Sequence, residues 1–104
     1  MYYNGQGVSQ DYIEALKWRS NAAEQGDALA QAALGAAYEE GRGVPQDYVQ
    51  AHMWLNLAAA AGDKKAAKLR DIIAAKLSPT ELAEAQRLAR EWKPNVTTKT
   101  STGE

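Results

Sequence analysis

With 104 residues the chain supports one domain with its own core, but not several. A net charge of −1 gives no long-range field to gather nucleic acid or coat a membrane surface, and the absence of cysteine excludes disulfide staples and thiolate metal sites. No run approaches the about 20 apolar residues of a membrane span, and Met1-Tyr2-Tyr3-Asn4-Gly5 has neither the basic start nor the apolar stretch of a signal peptide. These features predict a cytoplasmic chain, or an exported one if the sequence is an excerpt of a longer protein.

Apolar content is carried by Ala and Leu, with no Phe, and the remainder is rich in Glu, Gln and Lys. That mixture favours helix throughout, and no stretch shows the period-two alternation of a strand. After the turn at Gly5-Gln6-Gly7, Asp11 with Glu14 three residues on has the capping-box arrangement for a helix start. The predicted helix over 11–25 places Tyr12, Ala15, Trp18 and Ala22 at helical spacing. Gly26 suits a left-handed stop, and Asp27 can cap the next helix at once, over 27–40, with Ala30, Leu34 and Tyr38 on one face. Gly35 inside it costs about 1 kcal/mol relative to Ala, which predicts close approach by an adjacent backbone.

Gly41-Arg42-Gly43 breaks that helix. Asp47 with Gln50 then repeats the capping signal, and Tyr48, Ala51, Trp54/Leu55 and Ala58 repeat the helical face, ending at Gly62. From Asp63 a further helix over 63–77 carries Ala66, Leu69, Ile73 and Leu77 on one side. Ser78-Pro79-Thr80-Glu81 opens the last helix, with Ser at the N-cap, Pro at the first helical position and Glu closing a capping box. Leu82, Ala85, Ala89 and Trp92 point inward from it, and Pro94 ends it. Residues 94–104 have little to bury and are expected to be disordered.

One internal repeat organises these elements. The run from Gly5 to Trp18 returns, with its Gly, Asp, Tyr, Ala and Trp letters kept, from Gly41 to Trp54, 36 residues on, and Ala22-Ala23 and Gly26-Asp27 return as Ala58-Ala59 and Gly62-Asp63. A period in this range is the signature of a helical solenoid, whose units bury their apolar faces only against neighbours. After Gly62 the register breaks: Arg70 and Asp71 stand where Leu34 and Gly35 stood, and the Gly-x-Gly turn is gone. Met1-Tyr2-Tyr3-Asn4 aligns with Ala37-Tyr38-Glu39-Glu40, the end of a helix whose earlier turns are missing. The apolar face of the 11–25 helix, Trp18 or Tyr12 included, is therefore expected to lack a partner from this chain, which invites self-association.

The pattern Tyr-x-x-Gly-x-Gly-Val-x-Gln-Asp-Tyr-x-x-Ala-x-x-Trp followed by Ala-Ala-x-x-Gly-Asp, twice within residues 1–63, resembles the Sel-one-like repeat, a relative of the tetratricopeptide repeat. The resemblance implies an all-α solenoid of antiparallel helix pairs, here about two repeats plus a C-terminal capping pair. Units fall at about 1–26 and 27–62, with the capping pair at 63–93. The scaffold positions are Gly5, Gly7, Tyr12, Ala15, Trp18, Gly26, Gly41, Gly43, Tyr48, Ala51, Trp54 and Gly62. It also implies a protein–protein interaction scaffold of the kind bacteria use in signalling, envelope or host-contact assemblies.

Residues for chemistry are scarce. His52 is the only histidine and is expected to be a surface or half-buried structural residue, so a zinc site would lack partners. Some relatives of the family act on β-lactams, but Ser9, Ser20, Ser78 and Ser101 are followed three residues on by Tyr12, Ala23, Glu81 and Glu104, never by the Lys such chemistry uses. No catalytic residue, cofactor or metal is expected. Lys64, Lys65, Lys68, Arg70 and Lys76 form a basic stripe without interleaved aromatics, which argues against nucleic acid. The expected partner is a protein or peptide, met by exposed, non-repeating positions: Leu29, Ala32, Ala33 and Ala36 on one helix and Lys64, Lys65 and Lys68 on the next. The alternative is a homo-oligomer formed through the open N-terminal face.

Overall fold

The computed structural model describes residues 10–94. It contains five α-helices: α1 (Gln10–Glu24), α2 (Ala28–Glu40), α3 (Tyr48–Ala60), α4 (Lys64–Ala74) and α5 (Pro79–Glu91). No strand occurs among the described residues. The glycines at 5 and 7 and the tail from residue 95 onward lie outside them.

Local signals set most helix ends. Asp27, Asp47 and Asp63 each sit in extended backbone and accept the amide of the third residue on, Ala30, Gln50 and Ala66, at 2.9–3.0 Å. Ser78 closes a full capping box, its hydroxyl accepting from the Glu81 amide while the Glu81 carboxylate accepts from the Ser78 amide. Gly26, Gly41, Gly43 and Gly62 all take positive φ. Two expectations need correction. Asp11 does not cap α1 but lies within its first turn, because the helix already begins at Gln10; a carboxylate there still faces the positive end of the helix dipole. The helix expected over 63–77 stops at Ala74, where Lys76 and Leu77 close tighter turns onto the Ile73 and Ala74 carbonyls.

The helices form a helical-repeat solenoid in which α2 packs on α1, α3 on α2 and α4 on α3, and α5 folds back onto α3. With neighbours on several sides, α3 buries Ala51, His52, Met53, Trp54 and Leu55 in succession. A helix enclosed this way has no single apolar face, so burial extends to His52 and Met53, beyond the positions Ala51, Trp54/Leu55 and Ala58 that periodicity placed on one side. One core joins Leu16 and Ala23 of α1, Ala30, Leu34 and Ala37 of α2, and Met53 and Trp54 of α3, with Leu88, Ala89 and Trp92 packed against it. A second joins Ala51, Leu55 and Ala58 to Ala66 and Ile73. Gly35 lies where a Cβ would stand 2.7 Å from Leu55 Cγ and 3.2 Å from the Ala51 carbonyl oxygen. The close approach expected there is made by a side chain first and backbone second.

The two copies of the repeat differ in what surrounds them. Trp18 and Trp54 are equivalent letters, yet Trp54 is 6% exposed and Trp18 72%. Trp54 has the preceding helix pair around it and the Trp92 ring edge-on at 6.1 Å, whereas no described helix precedes α1. Tyr12, by contrast, is covered: the Arg42 guanidinium stacks 4.5 Å from its ring centre, and the turn at Gly43 leaves no room for a Cβ between Leu16 and the Tyr12 ring. His52, expected at the surface or half-buried, is 3% exposed, and its Nδ1 has no hydrogen-bond partner among the described residues.

Candidate interaction surface

A groove opens along α1 and α2. Trp18, Arg19 and Ala22 form one wall and Leu29, Ala30 and Ala33 the other, with Asp27 at the junction; it encloses about 440 Å³. Each wall uses positions i, i+1 and i+4, the spacing that puts three side chains on one strip of a helix. The pair is held in place by the Asp27 cap and by Gln31, whose buried amide donates to the Ala23 carbonyl at 3.2 Å. Trp18 at 72% and Leu29 at 78% exposure are two of the three exposed large apolar side chains among the described residues; Ile72 on α4 is the third. Arg19 makes no ion pair among the described residues, so its charge is available at the rim.

A second groove of about 260 Å³ is lined by Ala32, Ala33 and Ala36 of α2, Leu55 of α3, and Asp63, Lys65, Ala66 and Leu69. Shifted by 36 residues, Arg19, Asp27, Leu29, Ala30 and Ala33 of the first groove become Leu55, Asp63, Lys65, Ala66 and Leu69 of the second. The same groove thus occurs twice. In the second copy α2 forms an added wall, with its backbone at Gly35 resting on Leu55; in the first no described helix forms that wall.

The residues expected to bind a partner do not form one patch. Leu29 and Ala33 line the first groove, and Ala32, Ala33, Ala36 and Lys65 the second. Lys64 edges a shallow depression with Ala59, Gly62, Asp63 and Ala67, and Lys68 is exposed. The basic stripe is also interrupted. Arg70 donates to Asn56 Oδ1 at 3.1 Å and pairs with Asp71, and Lys76 lies 5.3 Å from the Tyr48 ring centre. Sequence reasoning placed Trp18 among the scaffold positions and also on the face expected to lack a partner, and it passed over Arg19.

His52 carries the one lowered titration among the described side chains. Burial, aided by the Arg70 charge and opposed by Asp71, holds its imidazole below the ordinary histidine range. It is buried and lines neither groove. No group of three or more His, Cys, Asp or Glu gathers as metal ligands among the described residues.

Two consecutive segments, residues 1–27 and 28–63, match the family model described as Sel1 repeat. The chain belongs to the Sel1 repeat family. Sel1 repeats are, in general, protein-interaction modules. Among solved structures, the chain is similar to c5321 of uropathogenic Escherichia coli, described as a protective antigen displaying an SLR fold, with 31% identity and a TM-score of 0.75. The match covers 95% of this chain and 25% of that one, so the chain spans a quarter of that protein's length. None of the curated proteins matches the chain. No described helix is long and apolar enough to cross a membrane.

Proposed function

We propose that the chain is a non-catalytic protein–protein interaction module whose binding surface is the open α1–α2 groove. The observation that carries this reading is the pair Trp18 and Leu29, large apolar side chains left in solvent beside a groove that the same sequence covers in its second copy. Exposed apolar surface of this kind, rimmed by a free arginine, marks an association site, and Trp and Arg are the side chains that dominate binding energy at such sites. The Lys64, Lys65 and Lys68 surface of α4 is secondary in this reading, a charged rim that steers an acidic partner.

Self-assembly draws on the same groove together with Ile72, exposed at the other end of the molecule. Stacking one copy on the next would bring α4 into the role of α2, and there Lys68, Leu69 and Ile72 replace Ala32, Ala33 and Ala36. A lysine and two large residues at a close helix contact disfavour that arrangement. This reading therefore favours a partner other than a second copy stacked through α4.

The test is site-specific photo-crosslinking in the native cell, with the crosslinker at Leu29 or, as a control, at Gln86 on the exposed side of α5. A discrete adduct at 29 and none at 86, identified and then reconstituted from pure components with binding lost on Leu29→Glu, supports the reading. Adducts equally abundant at both positions overturn it.

A further inference from the structure

We infer that the contact between α3 and α4 is an acid-sensitive latch, in which a proton taken up by His52 releases α4 from α3 while the other described helices stay packed. Its basis is a buried imidazole with nothing to receive its charge. His52 is 3% exposed, and its Nδ1 has no hydrogen-bond partner among the described residues. The first copy of the repeat fills the same position with Leu16, also buried, so the packing there calls for an apolar side chain. A neutral imidazole can stand in for one. An imidazolium, with two N–H donors and a full charge, cannot do so without acceptors or water.

The surrounding charges decide which contact gives way. Along α3 itself there is no Asp, Glu, Lys or Arg, and the Asp47 carboxylate before it accepts from the Gln50 amide. Within α2 the only charged residues are Glu39 and Glu40, in its last turn. On α5 the buried residue is Ala85, and Glu84 and Glu91 are engaged by Arg87 in solvent. The charges that act on His52 are Arg70 and Asp71, both on α4, and the Arg70 effect is the larger. Arg70 donates to Asn56 Oδ1, one helical turn beyond His52 on the same side of α3. A protonated His52 thus meets a cation that this bond holds in place, while the Asp71 carboxylate is already engaged by Arg70. Moving α4 away removes the repulsion and lets water reach the imidazole.

The packing allows that movement. Ala66 and Ile73 are the buried residues of α4, and both join the core cluster of Ala51, Leu55 and Ala58 on α3. Because α5 rests on α3 rather than on α4, the Trp92 ring can stay edge-on to Trp54 when α4 leaves. Lys65, Ala66 and Leu69 go with α4, and they form one wall of the second groove, so acid remodels that surface. This response is more specific than a general loss of stability, which would open every helix together.

The test is amide hydrogen exchange by nuclear magnetic resonance on the full chain at pH 7.5 and 5.5, over a series of low urea concentrations. Each rate is divided by its intrinsic value to give a protection factor. At pH 5.5 the amides of residues 64–74 should be less protected than those of α1, α2 and α3, with a shallower dependence on urea, the mark of a local opening. Their protection should rise up to about tenfold at pH 7.5, the limit set by one proton and an ordinary histidine value of about 6.5. His52→Leu, or His52→Gln if the first variant does not fold, should abolish that rise. Equal protection and equal urea dependence in α3 and α4 at pH 5.5 overturns the inference, because unfolding is then only global. An unchanged pH response in the His52 variants also overturns it, because the proton then acts elsewhere.

Discussion

Trp18→Ala and Trp54→Ala remove the same letter from the two copies of the repeat, and the structure predicts very different costs. Complete removal of a buried tryptophan side chain costs about 3–5 kcal/mol, and Trp54, 6% exposed in the core with Trp92 edge-on against it, should lie in that range. Trp18 is 72% exposed, so it has less than a third of the coverage of its counterpart. Scaling the loss by coverage gives about 1 kcal/mol. The assay is urea unfolding followed by far-ultraviolet circular dichroism, which does not depend on the tryptophans being removed, with Trp54→Phe as a milder companion in case Trp54→Ala does not fold. Equal large losses at the two sites would refute the reasoning, because Trp18 would then have to be covered in solution.

Further outcomes follow from individual contacts. Gly35→Ala gains about 1 kcal/mol of helix propensity but forces a Cβ within 2.7 Å of Leu55 Cγ. The net effect should be a loss of about 1–2 kcal/mol, relieved in the Gly35→Ala, Leu55→Ala double variant relative to the sum of the singles, as a double-mutant cycle would show. His52 has a lowered folded pKa, so the unfolded chain binds the extra proton; stability is full above the unfolded value of about 6.5 and falls as pH drops through the folded pKa, at no more than about 1.4 kcal/mol per pH unit for one proton. His52→Leu, copying buried Leu16 of the first repeat, removes that slope and the orphaned Nδ1 and should raise stability by about 1 kcal/mol, checked by denaturation at pH 7.5 and about 5.5. Ser78→Ala opens the only complete capping box among the described helices and should cost about 1 kcal/mol, with amide exchange accelerating first at the start of α5.

Much of the scaffold was legible because its signals are local. Asp27, Asp47, Asp63 and Ser78 each cap the helix that follows, and a cap needs only its neighbours three residues away. The 36-residue period was legible for the same reason, since each copy carries its own turn and helix starts. Burial was not, because it depends on what lies beyond the repeat. Trp18 and Trp54 share a local sequence and differ in exposure through the helices that surround them. His52, in the position of Leu16, suggests a surface or half-buried residue from sequence, and only the enclosure of α3 buries it fully.

The surface was the least legible part. Lys64, Lys65 and Lys68 are adjacent in sequence and suggested a patch, while the grooves combine strips from separate helices. Stacking of Arg42 on Tyr12 and of Lys76 near Tyr48 shows the same limit. A cation covers the same tyrosine in both copies, although the two cations occupy different places in the repeat and only the folded turns bring them there.

The most direct test of the central claim, that the open groove awaits a different protein, is the molar mass of the purified chain by light scattering across a wide concentration range. The account predicts the monomer mass throughout, because Lys68 and Ile72 at the far end do not reproduce the alanine strip that the groove receives. A dimer that persists on dilution and is lost on Leu29→Glu would contradict it and make self-assembly the work of this surface.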